Sequence, residues 1–458
     1  MLSESYRLRP DAGHRLREDG VPVIELPGCR LVLSGLSVGA RAIVSRLAEG
    51  WSDDRALGRI MASLEGEPRL LSANLLIHKL LGRSLLERRL GRSGRDLISV
   101  VPRGLAAAGG APPCAAPYRM SRFAVLRCDG ERLVADTPLG ETSIAVLDPR
   151  VAAALCGPLD EGLLARHLAL EEQEARQLAG ELLDARILVG EKEAAAEREE
   201  FPLMAWEPQD LWLHHRSRAG AHAFPLGGTY PLDGRRAPEP VARTYPEADA
   251  VALPPPAGLG EVSLTQVLGE RASVREHDDA HPITLAQLGE FLYQVQRLTV
   301  MDRDLGRRPY PTPGSLCDLE IYAVVNRCAG LDPGVYHHDS LGHRLERLGE
   351  LGPQALGVLR YAEGATGAGR LPQVGLVLTC RVGRLMWKYE SIAYALALKQ
   401  AGVVMELMYL VATALGLAPC AVGTGDGRAF AAAAGLDPLA EPAVGDFVLG
   451  SRPAGRPS

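Results

Sequence analysis

Short apolar runs separated by turn residues open the chain. VPVIEL (21–26) and CRLVLSGL (29–36) read as two strands, with Pro27 and Gly28 turning between them. Helical spacing then takes over. It predicts a helix over 38–47, a second after the N-cap residues Ser52 and Asp53, and a third from Ser72 carrying Leu75, Leu76, Leu80 and Leu81. The same order recurs further on. FAVLRC (123–128) and ERLVAD (131–136) form a hairpin across Asp129 and Gly130. The stretch 143–156 is largely apolar and helical in its second half, and 159–168 is a short helix. Residues 171–183 are amphipathic, with Ala175, Leu178 and Leu182 on one face, and ARILVGE closes as a strand. This is an internal repeat of a hairpin and three helices, about 80 to 100 residues per copy. Two winged-helix-like units, 1–105 and 115–195, fit it.

Residues 196–260 are rich in Pro and Gly but carry Trp206, Leu211, Trp212 and Phe224, which suits an ordered connector better than a free linker. The remainder, 261–458, alternates strands (319–328, 334–339, 374–382, 446–450) with helices (285–296, 385–399, 403–415), an α+β pattern. The run 401–423 has the length of a membrane span, with Glu406 as its only charge. Gly416 and Pro419 interrupt it and no basic flank accompanies it, so a buried core helix is expected and no membrane partner.

Charge narrows the function classes. The net charge of −6 gives no global basic field. Lys79, Arg83, Arg88, Arg89, Arg92 and Arg95 make the first copy locally basic, but Glu171, Glu172, Glu174 and Glu181 make the second acidic. A nucleic-acid-reading pair would be basic in both. Peptide binding by strand addition at a hairpin edge is therefore favoured over scaffolding alone. The eight cysteines are dispersed with no CxxC pair, and the polar N-terminus lacks a secretory apolar core; both point to free thiols in a reducing cytoplasm. His214-His215 and His337-His338 lack metal-ligand spacing, and no metal is expected.

Four stretches of the C-terminal part carry candidate chemistry. In RASVREH, Arg271, Ser273 and Arg275 alternate, so an extended backbone turns two guanidiniums and a hydroxyl the same way, toward a phosphate. In RPYPTPGSLCD, Pro311, Thr312, Pro313, Gly314 and Ser315 form a stiff loop of exposed backbone able to lie on a flat ring. Lys388 and Tyr389 are adjacent proton-transfer groups beside Trp387, where burial would lower a lysine's pKa. Adjacent residues share a target only at an irregular junction of strand and helix. In APCAVGTGDGRAF, Gly423 and Gly425 let backbone approach a ligand closely.

In order and spacing these stretches resemble the FMN-dependent nitroreductase superfamily, and within it the SagB-type dehydrogenase branch, the azoline oxidases of ribosomal peptide natural products. The Lys388-Tyr389 pair matches that branch's Lys-Tyr motif, and the N-terminal repeats resemble its leader-peptide-binding units. The resemblance implies a nitroreductase-like domain that binds FMN through Arg271, Ser273 and Arg275, with the loop 311–315 packing on the flavin across a homodimer interface. It implies oxidation of thiazoline or oxazoline rings in a precursor peptide, with Lys388 and Tyr389 as the acid/base pair and a cyclodehydratase as a possible partner. Two alternatives stand beside it: a nitroreductase-like enzyme using NAD(P)H on small molecules, and a catalytically silent peptide-binding partner of a cyclodehydratase.

Overall fold

A computed structural model describes the chain except residues 27–28, 67–68, 105–113, 220–225, 246–247 and 455–458. The expected turn at Pro27 and Gly28 and the expected connector residue Phe224 lie outside the described residues. The chain divides into two compact units, Met1–Pro225 and Leu226–Ser458.

The first unit is built twice over. The first copy runs β1 (Ser3–Leu8), a meander β2 (Gly13–Leu16), β3 (Pro22–Leu26) and β4 (Cys29–Val32), then α1 (Val38–Glu49), β5 (Ser52–Asp53), α2 (Asp54–Glu65), α3 (Leu70–Leu81), β6 (Leu86–Arg92) and β7 (Arg95–Pro102). The second runs β8 (Tyr118–Met120), a meander β9 (Val125–Asp129), β10 (Arg132–Asp136) and β11 (Thr142–Val146), then α4 (Pro149–Ala154), α5 (Glu161–Leu168), α6 (Glu172–Asp184) and β12 (Leu188–Gly190). Helices α7 (Glu191–Glu199) and α8 (Pro208–Arg216) complete the unit.

The copies agree in register. Tyr6 of β1 pairs with Ser52 and Arg88, and Tyr118 of β8 pairs with Leu159 and Gly190. Each third helix also ends alike. Ser84 and Arg186 stand at φ 56° and 58°, and the next amide bonds back to Leu80 and Leu182 at 3.0 and 2.9 Å. Such a left-handed residue closes a helix and reverses the chain. The expected repeat thus has one more strand before each hairpin and a third meander strand. The two copies also share one antiparallel sheet, in the order β5-β1-β6-β7-β11-β10-β9, in which β7 of the first pairs with β11 of the second.

The second unit contains β13 (Asp249–Ala252), α9 (Leu264–Glu270), α10 (Leu285–Gln296), the hairpin β14 (Thr299–Asp302) and β15 (Leu305–Arg307), β16 (Leu319–Val325), β17 (Gly334–Asp339), β18 (Arg344–Gly349), α11 (Pro353–Thr366), β19 (Val374–Cys380), α12 (Val382–Lys388), α13 (Ala393–Ala414), β20 (Leu417–Val422), α14 (Gly427–Ala434) and β21 (Ala443–Ser451). Its seven-stranded antiparallel sheet has the order β13-β18-β17-β16-β19-β21-β20. Alternate residues of β16 and β19 divide between two cores. Ile321, Ala323, Leu376 and Leu378 pack with Phe291 of α10 and Val404 and Met408 of α13, while Tyr322, Val324 and Val377 pack with Leu359 of α11 and Phe430 of α14. Every residue of β16 is therefore buried, as a central strand covered on both faces must be.

Two details correct the expected elements. Helices were expected over 385–399 and 403–415, with a break near Gly402. The break instead falls after Lys388: Tyr389 is extended (φ −119°, ψ 146°), and α13 runs through Gly402 without interruption. The reason is local pairing, because Thr229 and Tyr230 both donate their amides to the Lys388 carbonyl and Gly228 bridges to Tyr389. The stretch 196–260 is shared between the two units, with α7 and α8 in the first and 226–260 in the second.

Residues 239–245 are tied to the second sheet by buried polar groups. Arg381 meets Glu239 and Glu320, Arg243 meets Glu441, and the Tyr245 hydroxyl bonds that of Tyr322 at 3.0 Å. His337 sits between Glu320 and Glu346; burial alone would push its pKa down, but these two carboxylates raise it. Its neighbour His338 faces the other way, onto Gln296. Both histidines serve the packing of the sheet.

Candidate functional site

The expected pair stands at the junction where its geometry is useful. Lys388 is the last residue of α12 and Tyr389 caps it in extended conformation, so helix direction no longer separates the two side chains. Both reach Gly314. A Cβ built there would stand 2.5 Å from Lys388 Nζ and 2.8 Å from the Tyr389 hydroxyl. Gly314 has φ 54° and is exposed, so its backbone suits glycine and its missing side chain leaves room for the amine and the phenol. The loop carrying Pro311, Thr312, Pro313, Gly314 and Ser315 and the Lys388-Tyr389 pair thus form one locus. Both side chains are half-buried.

Arg384, one turn before Lys388, holds this locus together. It is 1 % exposed, and its guanidinium donates to three backbone carbonyls: Leu316 (2.6 Å), Glu239, and Asp304 (2.8 Å). One side chain thereby joins α12 to the loop, to the segment 226–245 and to the β14-β15 hairpin. Burial lowers its pKa, and neighbouring Arg381 adds to the effect. Sequence reasoning missed it because an arginine at helical spacing reads as a solvated charge.

The second locus lies at the sheet edge. Residues 271–278 run extended beside β20, with the Val274 amide on the Pro419 carbonyl at 2.8 Å. The Ser273 hydroxyl bonds that of Tyr409 at 2.8 Å, and the Arg271 guanidinium lies 5.3 Å from the Tyr409 ring centroid. Arg275 lines a cleft of ≈ 580 Å³ with His277, Asp278, Arg370 and Pro453. His277 accepts the Gln373 amide at Nδ1 (3.1 Å), and burial pushes its pKa down to about 4.

These residues fit the phosphate of a flavin mononucleotide. Among the described residues, neither the Arg271 nor the Arg275 guanidinium has a hydrogen-bond or ion-pair partner. Arg452, directly after β21, buries Nε and Nη2 with no hydrogen-bond partner among the described residues. Buried unpaired guanidinium N–H groups are costly and call for an anion. Arg452 was invisible in the sequence because nothing near the C-terminus marks one arginine among many.

The glycines Gly423 and Gly425 have different surroundings. A Cβ at Gly423 would meet open space, whereas one at Gly425 would collide with the Asp446 carboxylate. Burial raises Asp446 to about 6. A side chain at position 425 is therefore excluded by Asp446, whereas position 423 faces open space.

The chain is also similar to known proteins. Residues 268–450 match the nitroreductase family model, and residues 118–223 match that of the cyanobactin oxidase ThcOx. MJ1384, a nitroreductase-type protein of Methanocaldococcus jannaschii, is 30% identical over 168 residues, which is 36% of this chain and 80% of that protein. The chain belongs to the nitroreductase family and is an oxidoreductase; its C-terminal unit is the family's α+β fold. The residues matched by the cyanobactin oxidase model span the second N-terminal copy together with α7 and α8. The trifolitoxin-processing protein TfxB of Rhizobium leguminosarum bv. trifolii is 29% identical over 147 residues, 31% of this chain and 39% of that protein. Among solved structures, the E. coli microcin synthetase McbBCD complex with truncated pro-MccB17 is 18% identical, with a TM-score of 0.36, over 56% of this chain and 99% of the matched one.

Proposed function

We propose that this protein is an FMN-dependent oxidase that converts thiazoline or oxazoline rings of a ribosomal precursor peptide to thiazole or oxazole. The observation that carries the reading is the meeting of the Lys388 amine and the Tyr389 hydroxyl over Gly314. A cyanobactin oxidase match ahead of the catalytic unit and the likeness to a trifolitoxin-processing protein support a peptide substrate.

Aromatising an azoline removes two hydrogens from adjacent ring carbons. Lys388 takes the more acidic α-proton as general base, and Tyr389 donates a hydrogen bond to the ring heteroatom. Bound FMN supplies the two-electron acceptor for the β-hydride. Arg271, Arg275, Arg452 and Ser273 would hold its phosphate, and Gly423 would leave backbone open for it. The N-terminal copies capture the peptide's leader, for which the unpaired edge of β9 offers a strand to extend. A cyclodehydratase supplies the azoline.

The test offers FMN-loaded protein two substrates: a synthetic peptide with one thiazoline, under air, and a nitroaromatic with NADH. Loss of two hydrogens from the peptide, seen by mass spectrometry, with oxygen consumed, is the expected result. Rapid NADH oxidation with an unchanged peptide would instead identify a small-molecule reductase.

A further inference from the structure

We infer that Tyr230 is a positioning residue of the same site, holding the Lys388 amine against the Gly314 loop. The inference rests on the assignment of Lys388 as base. Tyr230 lies in GGTYP (227–231), outside every stretch that suggested chemistry in the sequence. Its backbone is left-handed, φ 54°, yet it is tyrosine. A bulky residue there is a rare and strained choice, and such strain concentrates where function over-determines it.

The surroundings show what holds the strain and what it aims. The Thr229 and Tyr230 amides both donate to the Lys388 carbonyl, at 2.9 and 3.1 Å, and the Asp233 amide closes the turn on the Tyr230 carbonyl. The ring meets Trp387 edge-on, with centroids 5.2 Å apart. Lys388 Nζ then lies 5.7 Å from the Tyr230 centroid and 5.7 Å from the Tyr389 centroid. A cation within about 6 Å of a ring face is attracted to it, so the rings hold the ammonium that Lys388 becomes as it takes the proton. Two rings thus flank a side chain with four flexible bonds. Tyr230 remains 42% exposed, so its burial does not explain its presence.

Substitutions separate positioning from support. Tyr230→Gly suits the left-handed backbone, so its melting temperature should equal or exceed that of the native protein, and its FMN content should be unchanged. Its kcat on a thiazoline peptide should fall roughly 10- to 10²-fold, because misplacing a catalytic group costs rate. Tyr230→Phe should keep native kcat, and Tyr230→Leu, which fills space without a π face, should behave as glycine does. Native kcat in the glycine or leucine variant, or an equal loss in the phenylalanine variant, would overturn the inference.

A readout without turnover separates this inference from the proposed reaction. The chain has four lysines, Lys79, Lys192, Lys388 and Lys399. After reductive ¹³C-methylation, the Lys388 methyl resonance, assigned through Lys388→Arg, should be ring-shifted in the native and phenylalanine proteins. The shift should be lost in the glycine and leucine variants. A native protein that oxidises no azoline but shows this pattern would sink the reaction and leave Tyr230's role standing; an unshifted native resonance would sink the role.

Discussion

Gly314 is the residue on which the site turns. Gly314→Ala places a methyl where Lys388 Nζ and the Tyr389 hydroxyl now reach, at a φ that alanine adopts at a cost of about 1 kcal/mol. The variant should unfold only slightly earlier in urea, yet lose most azoline turnover while keeping FMN. A second residue-scale prediction concerns His277. An unfolded histidine titrates near 6.5, and burial pushes His277 down to about 4 against the opposing pull of Asp279. The folded state favours the neutral ring, so its stability contribution is complete above the unfolded value and is lost as pH falls through the folded one. The loss should amount to roughly 3 kcal/mol. Denaturation midpoints at pH 7 and pH 4 should show a drop that shrinks in His277→Asn, whose carbonyl can still accept the Gln373 amide. The sequence made Lys388 and Tyr389 legible because two proton-transfer groups stood side by side before a long apolar helix. It hid Arg452 and Tyr230, whose roles come from an orphaned buried guanidinium and a left-handed backbone.

At the scale of elements, apolar spacing located most helices of the first unit and the central strands of the second. It failed where polar groups decide. The break after Lys388 follows from backbone pairing with residues 228–230, which no local periodicity records. Strands β1 and β8 were missed because each gains its place by pairing with a strand at the far end of its own copy. The segment 226–245 lacks strong periodicity because arginine, glutamate and tyrosine pairs fix it to the sheet. Arg384 is the test of that element-level argument. Arg384→Met would leave the Leu316, Glu239 and Asp304 carbonyls without their donor, and should cost about 3 kcal/mol or more in urea unfolding. It should also lower turnover, since the same donor fixes the loop beside Lys388.

At the scale of the molecule, the division into two compact units after Pro225 predicts that the second can be produced separately. A chain beginning at Leu226 should retain FMN and oxidise short azoline peptides, but lose its preference for leader-bearing ones, because the tethered binding site is gone. Equal rates for leader-bearing and leaderless peptides with the full chain would contradict a capturing role for the N-terminal copies. The central claim is that Lys388 is the base of an azoline oxidation. Its most direct test compares single-turnover rates of flavin-loaded native and Lys388→Ala proteins on one thiazoline peptide, read by mass spectrometry. We expect the native protein to remove two hydrogens per ring and the variant, with equal FMN content, to be slower by about 10²- to 10⁴-fold. Near-native oxidation by the flavin-loaded variant would contradict the account.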